Sequence, residues 1–182
     1  MSGRKVPSAE ILETTGRVLR PPEMQEVTGP LIFAAGPIQG APDWQAEAIA
    51  VIQREAPDLH IASPRRDYLP GEFVYEAQVD WETAMLRRAA ENGLVMFWLA
   101  REAESVPGRA YAQTSRFELA EWKVRHERDG TPLVVGIDDT FSNARYIRRR
   151  FAQDCPEVPV LDTLDETCRA SIQLIRCEHR VG

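Results

Sequence analysis

The sequence predicts a five-stranded, doubly wound α/β sheet with helices on both of its faces. The main observation is that short apolar runs alternate along the chain with longer segments whose apolar residues recur at helical spacing. A second observation is the run LVMFWLA at residues 94–100, which is apolar throughout and too short for an amphipathic helix. It is typical of a central parallel strand that is buried on both faces. The 182 residues, of which 43% are hydrophobic, are enough to bury one full core, which favours one domain.

Residues 1–29 are predicted to form an N-terminal arm or irregular leader before a domain that spans residues 30–182. They are mostly polar and are interrupted by prolines, with one short apolar patch. Disorder and an arm that contacts a neighbouring subunit are both compatible with this composition. We expect one short strand here, near residues 17–19, and ordered structure from Leu31 onwards.

The segment LIFAAGPIQG at residues 31–40 predicts the first strand of the domain and a turn that ends it. Glycine in such a turn lets backbone N–H groups approach a ligand closely, so Gly36 and Pro37 are candidate contacts to a sugar or phosphate. A plain tight turn accounts for the glycine equally well. After the turn, Asp43 is expected to cap a helix whose apolar face repeats every four residues, at Trp44, Ala48 and Ile52.

A second strand is predicted at residues 59–63, and it runs into the loop PRRDYLPGEF. The loop lies at the same edge of the sheet and carries groups that form directional hydrogen bonds, which suit recognition of a base or sugar. Arg65 and Asp67 are therefore candidate substrate contacts. A solvated position is the alternative for Arg65 or for its neighbour Arg66.

Residues 73–92 predict a helix in which Asp80 is a candidate functional residue. Because charged residues are rarely buried unless they are engaged, a carboxylate at this position is either half-solvated or directed at a site. Asp80 borders the apolar stripe of the helix. That stripe is expected to comprise Val74, Ala77 or Gln78, Trp81 and Met85.

Glu118 is the residue around which the predicted site is organised. It lies near the start of a helix within residues 108–130, where Gln113 or Thr114 serves the first turn and Gly130 suits a left-handed C-cap. The helix follows the central strand, so its start lies at the carboxyl edge of the sheet, where open α/β sheets bind ligands. Glu118 is expected to face a crevice there, and a solvated glutamate is the competing interpretation. The buried side of the helix is expected to comprise Phe117, Ala120 or Glu121, and Val124.

The remaining segments complete the alternation of strands and helices. Residues 133–137 predict a fourth strand, and residues 142–153 predict a helix capped by Ser142 or Asn143. The run VPVLD predicts the fifth strand, which is followed by a closing helix capped by Thr163. The inner face of the fourth helix is expected to comprise Tyr146, Ile147 and Phe151.

Composition argues against several classes of partner. The net charge is −6 and the arginines are dispersed apart from residues 148–150, so no nucleic-acid partner is expected. No apolar run approaches the roughly 20 residues that span a bilayer, and no signal-peptide stretch is present, so we expect a cytoplasmic protein without a membrane partner. The three cysteines and three histidines show no metal-ligand spacing, and no metal site is predicted.

Six motifs follow one another in a specific order: IFAAGPI, PRRD, QVDWE, LVMFWLA, YAQTSRFELAEW and LVVGI. In this order they resemble the nucleoside 2-deoxyribosyltransferase family and its nucleoside N-glycosidase relatives, over residues 31–176. The resemblance implies a flavodoxin-like sheet and an enzyme that moves 2-deoxyribose between nucleobases through a covalent glycosyl–glutamate intermediate, with retention and without a cofactor. Glu118 matches the family nucleophile, and Asp80 matches the family aspartate that helps hold the sugar hydroxyls and the nucleophile.

The chemistry of N-glycosidic bonds makes this assignment of Glu118 reasonable. Cleaving the bond builds positive charge on the sugar ring, so a carboxylate beneath the anomeric carbon stabilises the transition state and traps the sugar covalently. We expect the nearby helix N-terminus to keep Glu118 ionised at neutral pH, as a nucleophile must be. The departing base needs a proton at a ring nitrogen, from a nearby carboxylic acid or from water held by one.

The chain departs from the family pattern at three positions. Phe33 stands in the first strand where many members have a tyrosine that contacts the nucleophile. Ala112 stands where they have an aspartate that contacts the base, ahead of the nucleophilic glutamate. Ala120 replaces the usual glycine after the glutamate and its aliphatic neighbour. Gln113 and Asp67 are the candidates to recognise the base instead.

The resemblance implies small-molecule partners, a nucleoside and a nucleobase, and a homo-oligomer, dimeric or larger, with shared active sites. Family members often complete a neighbour's site with the segment after the fourth strand, which makes Asp138, Ser142 and Asn143 candidates. Two other functions stay open. A nucleoside or nucleoside 5′-monophosphate N-glycosidase would let water resolve the same intermediate, the latter with phosphate donors from the GPIQG turn and Arg65 or Arg66. A non-catalytic nucleotide-binding module would retain only the fold.

Overall fold

The computed structural model describes residues 15–67 and 71–178, and in them six strands form one parallel sheet. In chain order the strands are β1 Val18–Leu19, β2 Leu31–Ala35, β3 His60–Ala62, β4 Gly93–Leu99, β5 Leu133–Ile137 and β6 Val160–Leu161. Their order in the sheet is β1-β3-β2-β4-β5-β6, and all neighbouring pairs are parallel. Without the edge strand β1, this is the order of the flavodoxin-like doubly wound fold, which confirms the predicted fold class.

The sixth strand, β1, confirms the short strand expected near residues 17–19, and because it joins the sheet the predicted count of five strands is one too low. β1 pairs with β3 in parallel, with Leu19 opposite Ala62. Leu19 is fully buried and Val27 is 8% exposed, so ordered packing begins before Leu31. Residues 1–14 of the predicted arm lie outside the described residues.

Helices cover both faces of the sheet. Those of the described residues are α1 Trp44–Glu55, α2 Tyr75–Glu91, α3 Gln113–Asp129, α4 Ala144–Asp154 and α5 Leu164–Glu178. The first core joins the sheet to α2, α3 and α4, and the second joins it to α1 and α5. None of these helices combines the length and the apolar character that crossing a membrane requires.

β4 separates the two cores, and all of its residues are buried. Its side chains alternate between the cores, as the pleat of a strand dictates. One set, Val95, Phe97 and Leu99, packs on the side of α2, and the other, Leu94, Met96 and Trp98, packs on the side of α1 and α5. The prediction of a central strand buried on both faces is confirmed.

Three predicted helix boundaries are confirmed by their capping groups. The Asp43 carboxylate accepts a hydrogen bond from the Ala46 N–H at 3.2 Å before α1. Gly130 ends α3 with φ of 70°, in the left-handed region that glycine favours. The Thr163 hydroxyl accepts from the Glu166 N–H at 3.2 Å and donates to the Glu166 carboxylate at 2.8 Å, which caps the start of α5.

The buried face of α3 differs from the predicted one. Phe117 and Val124 are 75% and 55% exposed, whereas Leu119 and Trp122 are buried against the sheet. Both sets of apolar residues satisfy helical spacing, so the sequence pattern alone does not decide which set faces the core. The tertiary contacts of Trp122 and Leu119 decide it.

Two further inward assignments are wrong. Val74 precedes α2, which begins at Tyr75, and its side chain is 55% exposed. On α4, Phe151 is buried as predicted, but Tyr146 is 63% exposed. The Tyr146 hydroxyl accepts a hydrogen bond from the Arg150 guanidinium at 3.2 Å, on the outer side of the helix.

Candidate active site

A cavity of about 460 Å³ opens at the carboxyl ends of β2, β3 and β4. The chain passes from β2 outward to β3 and returns to β4 on the other side of β2, so the cavity lies at the topological switch point of the sheet. Its walls are the turn after β2, the loop after β3, the N-terminal half of α2, the loop after β4 and the start of α3. A volume of this size accommodates a small-molecule ligand.

Glu118 is the sixth residue of α3, and its half-buried side chain lines the cavity. Within the described residues, no group forms a hydrogen bond or an ion pair with its carboxyl group. Burial raises the pKa of Glu118 to about 7, and the negative charges of Glu82 and Glu121 add to the effect. Glu118 is therefore a carboxyl group that titrates near neutral pH.

This pKa contradicts the expectation that the helix N-terminus keeps Glu118 fully ionised at neutral pH. The field of a helix terminus falls off within the first turn, and Glu118 lies in the second turn of α3. Burial and the neighbouring carboxylates favour the protonated form there. With Glu82 ionised, Glu118 retains a proton up to about pH 7.

Glu82 is a second carboxyl group in the cavity, and the sequence motifs did not single it out. Its Oε1 atom accepts a hydrogen bond from Gln78 Nε2 at 2.7 Å, and the same Nε2 donates to the Pro64 carbonyl at 3.1 Å. Burial raises the pKa of Glu82, and the hydrogen bond from Gln78 opposes that shift. The signal that could have identified Glu82 is its spacing on α2, four residues after Gln78 and seven after Tyr75, which places all three on one side of the helix.

Asp80, the residue matched to the family aspartate, is exposed and does not line the cavity. Residues of an α-helix are turned by about 100° from one to the next, so Asp80 and Glu82 leave α2 in nearly opposite directions. Trp81, between them, is fully buried against the sheet. Of the two carboxyl groups in the QVDWE motif, the structure brings only that of Glu82 to the cavity.

The turn after β2 places Gly36 and Pro37 on the cavity wall. Gly36 has φ of 150°, and a Cβ atom there would overlap the Trp98 carbonyl oxygen and crowd the Trp44 ring. The Trp44 indole N–H donates to the Pro37 carbonyl at 2.8 Å. The backbone of the turn is therefore held firmly against the sheet, and only glycine fits its first position.

Arg65 lines the cavity, but its guanidinium group is used to hold the chain that follows the turn. Its Nε donates to Gln45 Oε1 at 2.8 Å, and its Nη2 donates to the carbonyls of Ile38 and Pro42 at 3.0 Å each. Asp67 is exposed and lies outside this cavity, on the wall of a smaller one of about 320 Å³. Of the two predicted substrate contacts in this loop, only Arg65 borders the larger cavity.

Tyr111 anchors the loop after β4. Its hydroxyl lies 2.7 Å from the carbonyl oxygens of both Ala100 and Arg101, and its ring packs against that of Phe141 with centroids 6.1 Å apart. Burial raises the pKa of Tyr111 to about 12, and the charges of nearby acidic side chains contribute. The phenol is therefore neutral at physiological pH and acts as a structural hydrogen-bond donor.

The same loop is tied to the turn after β2. The N–H groups of Ala103 and Glu104 donate to the Gly40 carbonyl at 2.7 and 3.0 Å. The Arg109 guanidinium donates to the side-chain carbonyl of Gln39. These bonds join two loops that come from neighbouring strands, and together the loops form the outer wall of the cavity.

Gln113 and Asn143 have different positions relative to the cavity. Gln113 is the first residue of α3 and lines the cavity, next to Ala112, whose φ of 55° lies in the left-handed region. Asn143 precedes α4, is exposed and does not line the cavity. Its predicted role in a neighbouring subunit stays a prediction.

The ionisable side chains of the cavity are mixed in sign, which suits an uncharged polar ligand better than a polyanion. They include Glu82, Glu102, Glu104 and Glu118 and the three arginines Arg65, Arg66 and Arg109.

Within residues 15–67 and 71–178, no three His, Cys, Asp or Glu side chains are grouped so that they could hold a metal ion. Neither the family models nor the curated proteins with which the chain was compared match it.

Proposed function

We propose that this protein is a nucleoside 2-deoxyribosyltransferase that moves 2-deoxyribose between nucleobases through an ester with Glu118. The observation that carries the proposal is the presence of two partly buried carboxyl groups, those of Glu118 and Glu82, in one cavity at the switch point of the sheet. Pairs of carboxyl groups with shifted pKa values are the usual machinery of glycosyl transfer. The order of the sequence motifs supports the same assignment.

Glu118 acts as the nucleophile in this proposal. One of its carboxylate oxygens attacks the anomeric carbon, C1′, while the bond between C1′ and the base nitrogen breaks and its electron pair leaves with the base. The positive charge that develops on the sugar ring is stabilised by the half-buried carboxylate. A second base then attacks C1′, displaces Glu118 and restores the original configuration.

The protonation state of the carboxyl pair fits this chemistry. Up to about pH 7 the pair retains a proton. Positive charge on the sugar favours the ionised form of Glu118, and a base nitrogen that accepts a hydrogen bond favours the neutral form of Glu82. Substrate binding therefore leaves the nucleophile ionised and moves the proton to the other carboxyl group.

An N-glycosidase would use the same two carboxyl groups and would differ only in the acceptor, which would be water. The 5′-monophosphate form of this alternative requires phosphate donors. Arg65 offers little support for it, because two of its three nitrogen atoms are hydrogen-bonded to Gln45 and to backbone carbonyls. Arg66 is engaged as well, since its Nη1 donates to the Pro21 carbonyl at 2.9 Å. We therefore propose an uncharged nucleoside as the donor substrate.

Chromatography of reaction mixtures tests the proposal. Purified protein is incubated with each 2′-deoxynucleoside, with and without a second free base, beside the Glu118→Gln variant. We expect a new deoxynucleoside only when the second base is present, and none with the variant. Free base released at the same rate without an acceptor would select the N-glycosidase, and no turnover of any deoxynucleoside or deoxynucleoside 5′-monophosphate would contradict both enzymatic assignments.

A further inference from the structure

The geometry points to α2 as the wall that holds the nucleobase, and to Glu82 as the catalytic residue that protonates the departing base. This role rests on the proposed function, since it concerns the same cavity and the same reaction. It goes beyond the motif match, which assigned a role on this helix to Asp80 and none to Glu82.

One side of α2 faces the cavity along two turns. Tyr75, Gln78, Val79 and Glu82 all line it, at the i, i+3, i+4 and i+7 spacing of a continuous helical stripe. The stripe begins with an aromatic side chain that is 66% exposed and ends with the half-buried carboxyl group. A planar base can stack on the exposed aromatic and aliphatic part while its ring nitrogens lie towards Glu82.

The Glu82 carboxyl group is held in one orientation. Gln78 Nε2 donates to Glu82 Oε1 at 2.7 Å and is itself fixed by the Pro64 carbonyl at 3.1 Å. The described residues provide no hydrogen-bond partner for Glu82 Oε2. Oε1 is thus occupied as an acceptor, and Oε2 is the oxygen that can carry a proton towards the cavity.

Other groups near the base position are poor proton donors. Ala112 has no polar side chain at the position where family members carry an aspartate. The Tyr111 hydroxyl is committed to two backbone carbonyls. The arginines of the cavity do not release a proton at physiological pH. Glu102 and Glu104 line the cavity from the loop after β4 and are exposed, whereas Glu82 is half-buried.

The proton transfer balances with the covalent step. As the bond from C1′ to the base nitrogen breaks, its electron pair stays on the base, and a ring nitrogen takes the proton from Glu82 Oε2. At the same time a lone pair of Glu118 forms the new bond to C1′. Glu82 is left as a carboxylate. In the second step it removes a proton from the acceptor base, whose nitrogen attacks C1′, and the electron pair of the ester bond returns to Glu118.

A substrate pair separates proton donation from other roles of Glu82. 2′-Deoxyguanosine needs a proton to release its base, whereas 7-methyl-2′-deoxyguanosine, below the pKa of its own base, carries a cationic base that leaves without one. Glu82→Gln should lower kcat/KM for the first substrate by about 100-fold or more and for the second by less than about fivefold. Glu118→Gln should abolish turnover of both. Glu76→Gln, an exposed carboxyl on the same helix and outside the cavity, should affect neither.

Three further variants keep the test independent of the folding of Glu82→Gln. Gln78→Ala should lower kcat for 2′-deoxyguanosine by about tenfold, with a smaller loss for the methylated substrate, because Glu82 loses its fixed orientation. Tyr75→Ala should raise KM for both substrates by about tenfold, and Tyr75→Phe should not, because only the ring is needed for stacking. If the protein accepts only pyrimidines, 2′-deoxyuridine and 5-fluoro-2′-deoxyuridine form the pair, since the fluorinated base leaves more easily.

Equal losses for both members of a pair in Glu82→Gln would overturn the proposal and assign Glu82 to holding the sugar or the nucleophile. An active parent with full activity in Glu82→Gln would overturn it as well. A parent without turnover of any deoxynucleoside is a different failure, because it removes the proposed function together with this role.

Discussion

Glu118 and Glu82 carry the proposed chemistry, and each is shifted by its surroundings. Burial raises the pKa of both carboxyl groups, and the charge of Glu82 raises the pKa of Glu118 further. Two carboxylates in one buried cavity repel each other, which favours a state with one proton between them. One ionised carboxylate for attack and one carboxylic acid for proton donation make up the state that glycosyl transfer requires.

The shared proton predicts a basic limb in the pH dependence of activity. Because the pair loses its last proton near pH 7, kcat/KM for 2′-deoxyguanosine should fall by about tenfold per pH unit above about pH 7. In Glu82→Gln this limb should disappear. The acid limb that remains reports the ionisation of Glu118 without the charge of Glu82, and it should lie below about pH 7. Initial rates of the parent and of Glu82→Gln are measured from about pH 5 to about pH 9. A basic limb that persists unchanged in Glu82→Gln would contradict the coupling between the two carboxyl groups.

The raised pKa of Glu118 also predicts that the folded protein is less stable above about pH 7 than at acidic pH. The folded protein binds the Glu118 proton more tightly than the unfolded chain does, so the protonated carboxyl group stabilises the fold fully below about pH 4.5. This stabilisation is lost as the pH rises to about 7, and it stays lost at higher pH. Glu118→Gln should therefore raise the free energy of unfolding by roughly 2–3 kcal/mol at about pH 8 and change it little at about pH 4.5. Urea unfolding at both pH values measures this, with the exposed Glu91→Gln as control. Equal effects at the two pH values would show that the variant acts through packing instead.

At the scale of elements, α2 shows what the sequence could and could not predict. Its existence follows from apolar residues at helical spacing, but the assignment of a site carboxyl depends on the rotational phase of the helix. That phase is set by tertiary contacts, since Trp81 packs in the core and its indole N–H donates to the Glu23 carbonyl at 3.0 Å. A contact with so distant a segment leaves no local signal. The QVDWE motif therefore predicted a carboxyl group on this helix and not which one faces the cavity.

The other elements show the same division between features that the local sequence determines and features that long-range contacts determine. β4 was predictable because burial on both faces leaves an unbroken apolar run, and the caps were predictable because Asp43, Thr163 and Gly130 act on their immediate neighbours. The short strand expected near residues 17–19 forms as β1, whereas the core face of α3 depends on which of two apolar sets meets the sheet. Local patterns thus predicted the elements and their ends, whereas long-range contacts determined the helix phases and the pairing of β1 with β3.

The turn after β2 offers a test of an element that positions the site. Gly36→Ala should lower the free energy of unfolding by about 2–4 kcal/mol, because its Cβ would overlap the Trp98 carbonyl oxygen and its φ of 150° is strained for alanine. Gly108→Ala is the matched control, since Gly108 has φ of 76° with open space around its Cβ position, and its cost should be about 1 kcal/mol. Urea unfolding measures both. Equal destabilisation would show that the close approach at Gly36 contributes nothing.

At the scale of the whole molecule, several large apolar side chains remain exposed on the face that carries α2 and α3. They include Phe73, Tyr75, Val79, Phe117 and Val124. Exposed apolar side chains on one face often mark an interface. The homo-oligomer that the resemblance implies stays a prediction, and this face is where we expect its interface.

Sedimentation velocity tests that expectation. The parent should sediment as a dimer or a larger assembly, and Phe117→Asp should shift it towards the monomer, because a charge introduced into an apolar contact is costly to bury. Gln173→Asp, exposed on the opposite face of the sheet, should leave the assembly unchanged. A monomeric parent would contradict both the oligomer and the shared site that the resemblance implies.

The central claim, a covalent ester between Glu118 and the sugar, is tested most directly by mass spectrometry of the intact protein and its peptides. The protein is incubated with a 2′-deoxy-2′-fluoroarabinosyl nucleoside, whose fluorine slows breakdown of the ester by destabilising positive charge on the sugar. We expect the mass of one fluorinated sugar to be added to the parent, on the peptide that contains Glu118, and no addition to Glu118→Gln. Base release without any adduct, or an adduct on Glu82, would contradict the assignment of Glu118 as the nucleophile.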